Sequence, residues 1–200
     1  MKTLILVRHG ETELNSGPIP RIRGFLDIYL NEKGRNSIEQ TAKYIYQHLP
    51  TPNLILSSPL NRAQQTAEII NKELKLQQCI QISQNLNEVN WGTWEGMTYE
   101  EALGTTEYEH LKPLEMNPPG GETLYLVQDR CQKFIDYFLQ QQEDCILAVS
   151  HGSVISILLC VILDIPLNKY WTSYLNNSGI GCLQFENNVW KIKSWGQYDN

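Results

Sequence analysis

Two kinds of apolar pattern alternate along the chain. Short continuous apolar runs occupy residues 2–7, 53–57 and 144–150, with a weaker one at 79–83. Such runs suit strands buried on both faces. Between them the apolar spacing changes to three and four. Ile38, Ala42, Ile45 and Leu49 share one face of a helix over residues 34–49. The next helix carries Leu60, Ala63, Ala67, Ile70 and Leu74, with Ser58 placed as its N-cap and Pro59 at its first position. Residues 123–142 set Leu124, Val127, Cys131, Phe134 and Phe138 inward, and residues 152–163 are apolar nearly all round, as in a buried helix. Residues 180–186 and 189–194 read as two strands about Asn187-Asn188, a hairpin signal. Residues 86–121, rich in turn formers, aromatics and acids, form a long excursion with one short helix after Met97. Excursions of that length often carry function.

Strands alternating with helices predict an α/β fold. The expected form is a three-layer sandwich: a mainly parallel central sheet, helices on both faces, and an antiparallel edge from the final hairpin. The 200 residues suit a single domain over 1–200, and no repeat or linker divides them.

The formal charge of −6 lacks the basic excess of a nucleic-acid binder. The longest apolar stretch, 154–163, is interrupted by Ser156 and too short to span a bilayer. The apolar start of the chain is too short for the core of a signal peptide. A cytoplasmic protein with neither nucleic acid nor membrane as partner is expected. Cys79, Cys131, Cys145, Cys160 and Cys182 are scattered and odd in number, which suits reduced, mostly buried thiols. None opens a C-x5-R segment, the phosphate cradle a cysteine phosphatase needs.

The chemistry gathers at three strand ends. Arg8-His9-Gly10 follows the first strand, Ser57-Ser58-Pro59 with Arg62 the second, and Ser150-His151-Gly152 the fourth. In a parallel sheet these ends lie together, where open α/β sheets bind ligands. A lone His-Gly after a strand is usually only a turn, and a lone Arg62 a solvated helix residue. Two His-Gly junctions and two arginines at one sheet edge are a different matter. Guanidinium forks match phosphate oxygens, and helix N-termini at Arg62 and His151 add free N–H groups. A neutral imidazole among them can attack phosphorus. The glycine after each histidine would let backbone approach a ligand. His48 and His110 have no such setting and are assigned to the surface.

These residues resemble the histidine phosphatase superfamily, also called phosphoglycerate mutase-like. The Arg-His-Gly signature stands in Leu6-Val7-Arg8-His9-Gly10-Glu11-Thr12-Glu13-Leu14-Asn15. Five further blocks follow in order: Arg23-Gly24-Phe25-Leu26-Asp27 with Leu30 and Gly34, then 57–67, 87–96, 119–123 and 149–155. The resemblance implies that His9 is the nucleophile and that Arg8, Arg62 and His151 bind the phosphoryl group, with Asn15 assisting. It implies Glu88 as proton donor, with Glu95, Glu100 and Glu101 as neighbouring acids that could be mistaken for it. It implies no cofactor and no metal, in keeping with a sequence that has no H-E-x-x-H, no paired Asp-x-Asp and no Walker A loop.

Three features depart from the family pattern: Leu14 where tryptophan is frequent, a slightly long 16–20 stretch, and Arg23 where phosphatases usually carry glutamine. Arg23 is therefore assigned to substrate binding as an extra cation beside the pocket. The implied activity is hydrolysis of a small phosphorylated metabolite, with room for a homodimer. Within the phosphatases, Leu86-Asn87-Glu88 and the chain length resemble alpha-ribazole phosphatases, while phosphoserine-type and broad-specificity members stay open. The alternatives are a phosphoglycerate mutase and, in another class, a non-catalytic phosphate-binding signalling module.

Overall fold

Side chains along a strand point alternately to the two faces of its sheet, so an uninterrupted apolar strand must be covered on both. In the computed structural model six strands form one sheet: β1 (Lys2–Arg8), β2 (Leu54–Ser57), β3 (Ile80–Ile82), β4 (Cys145–Ser150), β5 (Ile180–Glu186) and β6 (Val189–Gly196). The structure describes residues 1–16, 21–104, 114 and 116–196, with only the backbone described for Asn15, Ser16 and Leu103. The strand order is β3-β2-β4-β1-β5-β6. β3, β2, β4 and β1 run parallel, and β5 and β6 add the antiparallel edge.

The alternation sorts the strands into two cores. Ile5, Val7, Ile55, Leu147 and Val149 face one side, where Ile38, Ala42 and Ile45 of α2 (Glu32–His48) and Ala63, Ala67 and Ile70 of α3 (Asn61–Glu73) cover them. Leu4, Leu6, Leu56, Ile146 and Ala148 face the other, under Val127, Phe134 and Phe138 of α5 (Leu124–Gln140) and Val154 and Leu158 of α6 (Gly152–Leu163). Two short helices, α1 (Glu13–Ser16) and α4 (Tyr99–Leu103), are also present, and Tyr99 and Ala102 of α4 pack against the second core. The three-layer reading from the sequence holds, and so does the short helix after Met97. The hairpin turn is as expected: Asn187 and Asn188 both take positive φ, at 50° and 60°, as a type I′ turn requires. Among the described residues, no single helix is long and apolar enough to cross a membrane.

One local expectation fails. Ser58 does not cap α3, whose N-cap is Leu60 with no side-chain hydrogen bond. Asp27 takes over from a distant loop, accepting from Asn61 N at 2.8 Å and Asn61 Nδ2 at 2.7 Å. That frees Ser58 for the site below.

The topology opens a crevice. β1 and β4 are neighbours in register, with Arg8 opposite Ser150. The chain leaves β1 toward the α2 face and leaves β4 toward the α6 face. Departure to opposite sides separates the loops at the carboxyl ends of the two strands, the usual position of a ligand site in such sheets.

Candidate active site

His9 and His151 emerge from those two strand ends with ring centroids 5.1 Å apart. Both are almost wholly buried. His9 Nδ1 lies 2.7 Å from the Gly10 carbonyl oxygen. A carbonyl can only accept, so Nδ1 carries the hydrogen and Nε2 keeps the lone pair. Burial, then the charges of Arg62 and Arg8, hold the His9 imidazole well below its ordinary range. It is thus neutral at neutral pH, with the lone pair on Nε2.

The arginines are buried too, at 6 % and 1 % exposure for Arg8 and Arg62. Arg8 donates to the Leu175 carbonyl at 2.7 Å and lies 4.8 Å from the centre of the Tyr174 ring. Arg62 donates to the Leu26 and Gly24 carbonyls at 2.8 and 2.9 Å. Among the described residues, no carboxylate forms an ion pair with either fork. Burial pushes Arg62 down to about 10, and lowers Arg8 as well; the negative charge of Glu88 opposes both shifts. A buried nitrogen without a partner is costly. Arg8 Nε, Arg62 Nε and His151 Nδ1 are three such atoms, all in this crevice. An anion seated between the arginines would offer acceptors to them.

His151 is the N-cap of α6, and its Nε2 lies 2.8 Å from Ser58 Oγ. Burial followed by the Arg62 charge keeps it well below its usual pKa, hence neutral. Its Nδ1 faces Glu88 Oε2 at 4.0 Å. The carboxylate of Glu88 is 13 % exposed, and its Oε1 accepts from Val89 N at 2.9 Å. The sheet edge therefore brings His9, Arg8, Arg62, His151 and Glu88 to one place. Two other acids near Glu88, Glu95 and Glu101, have structural partners. Glu95 accepts from Phe25 N and Trp91 N, and Glu101 completes the capping box of α4 with Thr98.

Arg23 is half-buried beside this group and donates to the Leu14 carbonyl at 3.1 Å. Its charge adds to the lowering of Arg8, His9 and Arg62. The side chain of Asn15 lies outside the described residues, as do residues 17–20 and His110. His48 is exposed on α2, as expected.

The two glycines serve packing. A Cβ on Gly10 would come within 2.7 Å of Gly34 O on α2, and one on Gly152 within 2.3 Å of the Tyr174 ring. The room is filled by protein, which locks each histidine loop to a neighbouring element.

Sequence reasoning missed the segment before β5. Besides Tyr174 and the Leu175 carbonyl, it supplies Asn177, whose Nδ2 donates to the His9 and Gly10 carbonyls at 3.1 and 3.2 Å. The only trace in the sequence is a cluster of turn formers, Asn176-Asn177-Ser178-Gly179. Also missed was Ser58 as partner of His151.

Comparison with known proteins agrees with this geometry. A model described as histidine phosphatase superfamily (branch 1) matches residues 4–198. Phosphoserine phosphatase 1 of Hydrogenobacter thermophilus is 30% identical over 193 residues, 93% of this chain and 88% of that protein. Phosphoserine phosphatase of Entamoeba histolytica in complex with 3-phosphoglyceric acid is a structural neighbour at TM-score 0.81 and 29% identity, covering 99% of this chain and 98% of that one. Alpha-ribazole phosphatase of Shigella flexneri has the same fold, at TM-score 0.85 and 23% identity over 99% and 100% of the two chains.

Proposed function

We propose, since the chain belongs to the histidine phosphatase superfamily, that it hydrolyses a small phosphorylated metabolite through a phosphohistidine intermediate. The observation that carries this reading is the His9 ring, buried and neutral between two arginines, with Nδ1 fixed by Gly10. Its Nε2 lone pair forms the N–P bond as the P–O bond to the leaving group breaks. Arg8, Arg62 and His151 hold the phosphoryl oxygens through that step, and Asn15 is assigned to assist them. Charge spreads over those oxygens in the transition state, where fixed donors in a dry site act most strongly. Glu88 gives its proton to the leaving alkoxide. Its carboxylate then takes a proton from the water that attacks phosphorus, releasing phosphate and free His9.

The chemistry asks for no metal in this account, because guanidinium groups supply the positive charge. Among the described residues no group of His, Cys, Asp or Glu is placed to hold a metal ion. Hydrolysis of p-nitrophenyl phosphate is expected to survive exhaustive chelation with kcat unchanged. Loss on chelation and recovery with one added metal would replace this mechanism by a metal-dependent one.

The same reading takes residues 1–200 as one domain, since the sheet joins β1 from one end of the chain to β5 and β6 from the other. Free cysteines, four of them buried, suit a reducing cytoplasm. A homodimer is compatible with it.

Arg23 narrows the substrate. Of its five N–H donors, one is held by Leu14 O. The carbonyl of the next residue, Gly24, is bound by Arg62, which supports a position for Arg23 at the rim of the proposed phosphate site. We assign Arg23 to a second anionic group on the substrate, such as the carboxylate of a phosphorylated acid. Arg23→Gln is expected to raise KM about tenfold for substrates with that second group and to leave kcat, and all kinetics on p-nitrophenyl phosphate, in place. Equal KM values for both substrate sets would return Arg23 to the solvated surface.

A further inference from the structure

The segment that carries Glu88 has no regular structure of its own beyond a 3-10 turn at Gln84–Leu86. A general acid must meet the leaving oxygen within hydrogen-bond reach, so a segment of this kind needs an external support. Arg130 of α5 supplies one. Its Nη1 donates to the Asn85 and Asn87 carbonyls at 3.0 and 2.7 Å, and its Nη2 to the Glu88 carbonyl at 2.9 Å. The guanidinium is in turn held by both carboxylate oxygens of Glu122, Nε to Oε1 at 3.0 Å and Nη2 to Oε2 at 3.2 Å. Glu122 closes the far side of the same segment: Oε2 accepts from Asn90 N at 2.9 Å, and Glu122 N donates to Asn90 O at 2.7 Å. One buried fork thus spans residues 85–90 from both sides of Glu88. Both side chains are mostly buried, at 13 % and 22 % exposure.

We propose that the Arg130–Glu122 pair is the positioning device for the proton donor of this enzyme. Among the described residues it makes no hydrogen bond to His9, Arg8 or Arg62, and it acts by fixing the backbone on either side of Glu88. A surface ion pair of two flexible chains would do little here. This one is planar, bidentate and committed to three carbonyls, and only arginine has the donors for that arrangement. The carbonyls it binds would otherwise lie partly buried without partners, and the segment would shift to solvate them. The inference rests on Glu88 being the proton donor.

The test is a leaving-group comparison. In Arg130→Gln, kcat on alkyl phosphates is expected to fall about 10- to 100-fold, part of the 10²–10⁴ that positioned acid catalysis supplies. On p-nitrophenyl phosphate, whose leaving group needs little protonation, kcat and KM are expected to stay within about threefold, since no phosphate contact is lost. Added to Glu88→Gln, the change should cost nothing further on alkyl phosphates, because the two act as one unit. Arg130→Lys, with charge but no fork, and Glu122→Gln should show the same bias to a smaller degree, and they carry the test if Arg130→Gln does not fold. Equal loss on both substrate classes, or full additivity with Glu88→Gln, would overturn the positioning role. If Glu88→Gln itself shows no leaving-group bias, the donor assignment fails first, and the two failures are told apart.

Discussion

His9→Ala is expected to lower turnover of p-nitrophenyl phosphate by about 10⁴-fold or more, as the loss of a nucleophile usually does, while the protein stays folded. The ring is nearly fully buried, and among the described residues its side chain hydrogen-bonds only to the carbonyl of its own neighbour Gly10. Little of the fold therefore depends on it. His151 is not a ready substitute, since its Nε2 is engaged with Ser58. A second readout is independent of turnover. Brief mixing of the wild-type chain with a labelled substrate should trap acid-labile, base-stable label, and His9→Ala should trap none. Normal turnover in a folded His9→Ala protein would end the proposal. The products decide between relatives of the same chemistry: release of inorganic phosphate marks a phosphatase, and migration of the phosphoryl group to a neighbouring hydroxyl marks a mutase.

Glu88→Gln separates substrates by their leaving groups. The amide has no acidic proton, but its Oε1 can keep the bond from Val89 N that Glu88 makes at 2.9 Å, so the segment is preserved. Hydrolysis of alkyl phosphates is expected to slow by about 10²–10⁴-fold. p-Nitrophenyl phosphate should slow far less, because its leaving group departs as a stable anion without help. The measurement is kcat on a series of leaving groups of graded basicity, where the variant gives the steeper dependence. An equal loss across the series would assign Glu88 to binding the phosphoryl group beside His151 Nδ1, which it faces at 4.0 Å.

Much of this site was legible before any fold was known. Each of its main residues sits one or a few positions beyond a strand whose apolar run is unmistakable. Arg8 ends β1 and His9 follows it, Ser58 and Arg62 follow β2, and His151 follows β4. A parallel arrangement was enough to bring those ends together. Glu88 was named through the family resemblance and not through local pattern, since its neighbours Glu95, Glu100 and Glu101 look the same in sequence. The structure separates them by partner: Glu95 is tied to Phe25 N, Glu101 to the start of α4, and Glu88 is turned toward His151. Ser58 was misread for a related reason. A serine directly before a proline and a helical run is a fair N-cap by local rules, but the helix starts at Asn61 and Asp27, 34 residues away, accepts from its N–H.

By itself the sequence determined the layers and the chemistry at the strand ends. Apolar periodicity is a local property, written every two residues in a strand and every three or four in a helix, and burial enforces it wherever the chain goes. It also determined that two histidines and two arginines would share an edge of the sheet. Only the tertiary structure decided that β4 enters between β1 and β2, which sets His151 beside His9. The same holds for Asn177 behind the His9 loop, Tyr174 against Arg8 and Arg130 around Glu88. These contacts join residues dozens to more than a hundred positions apart through single hydrogen bonds or ring faces. No periodicity records them, because a polar side chain satisfied by a distant carbonyl has the same local sequence as one satisfied by water.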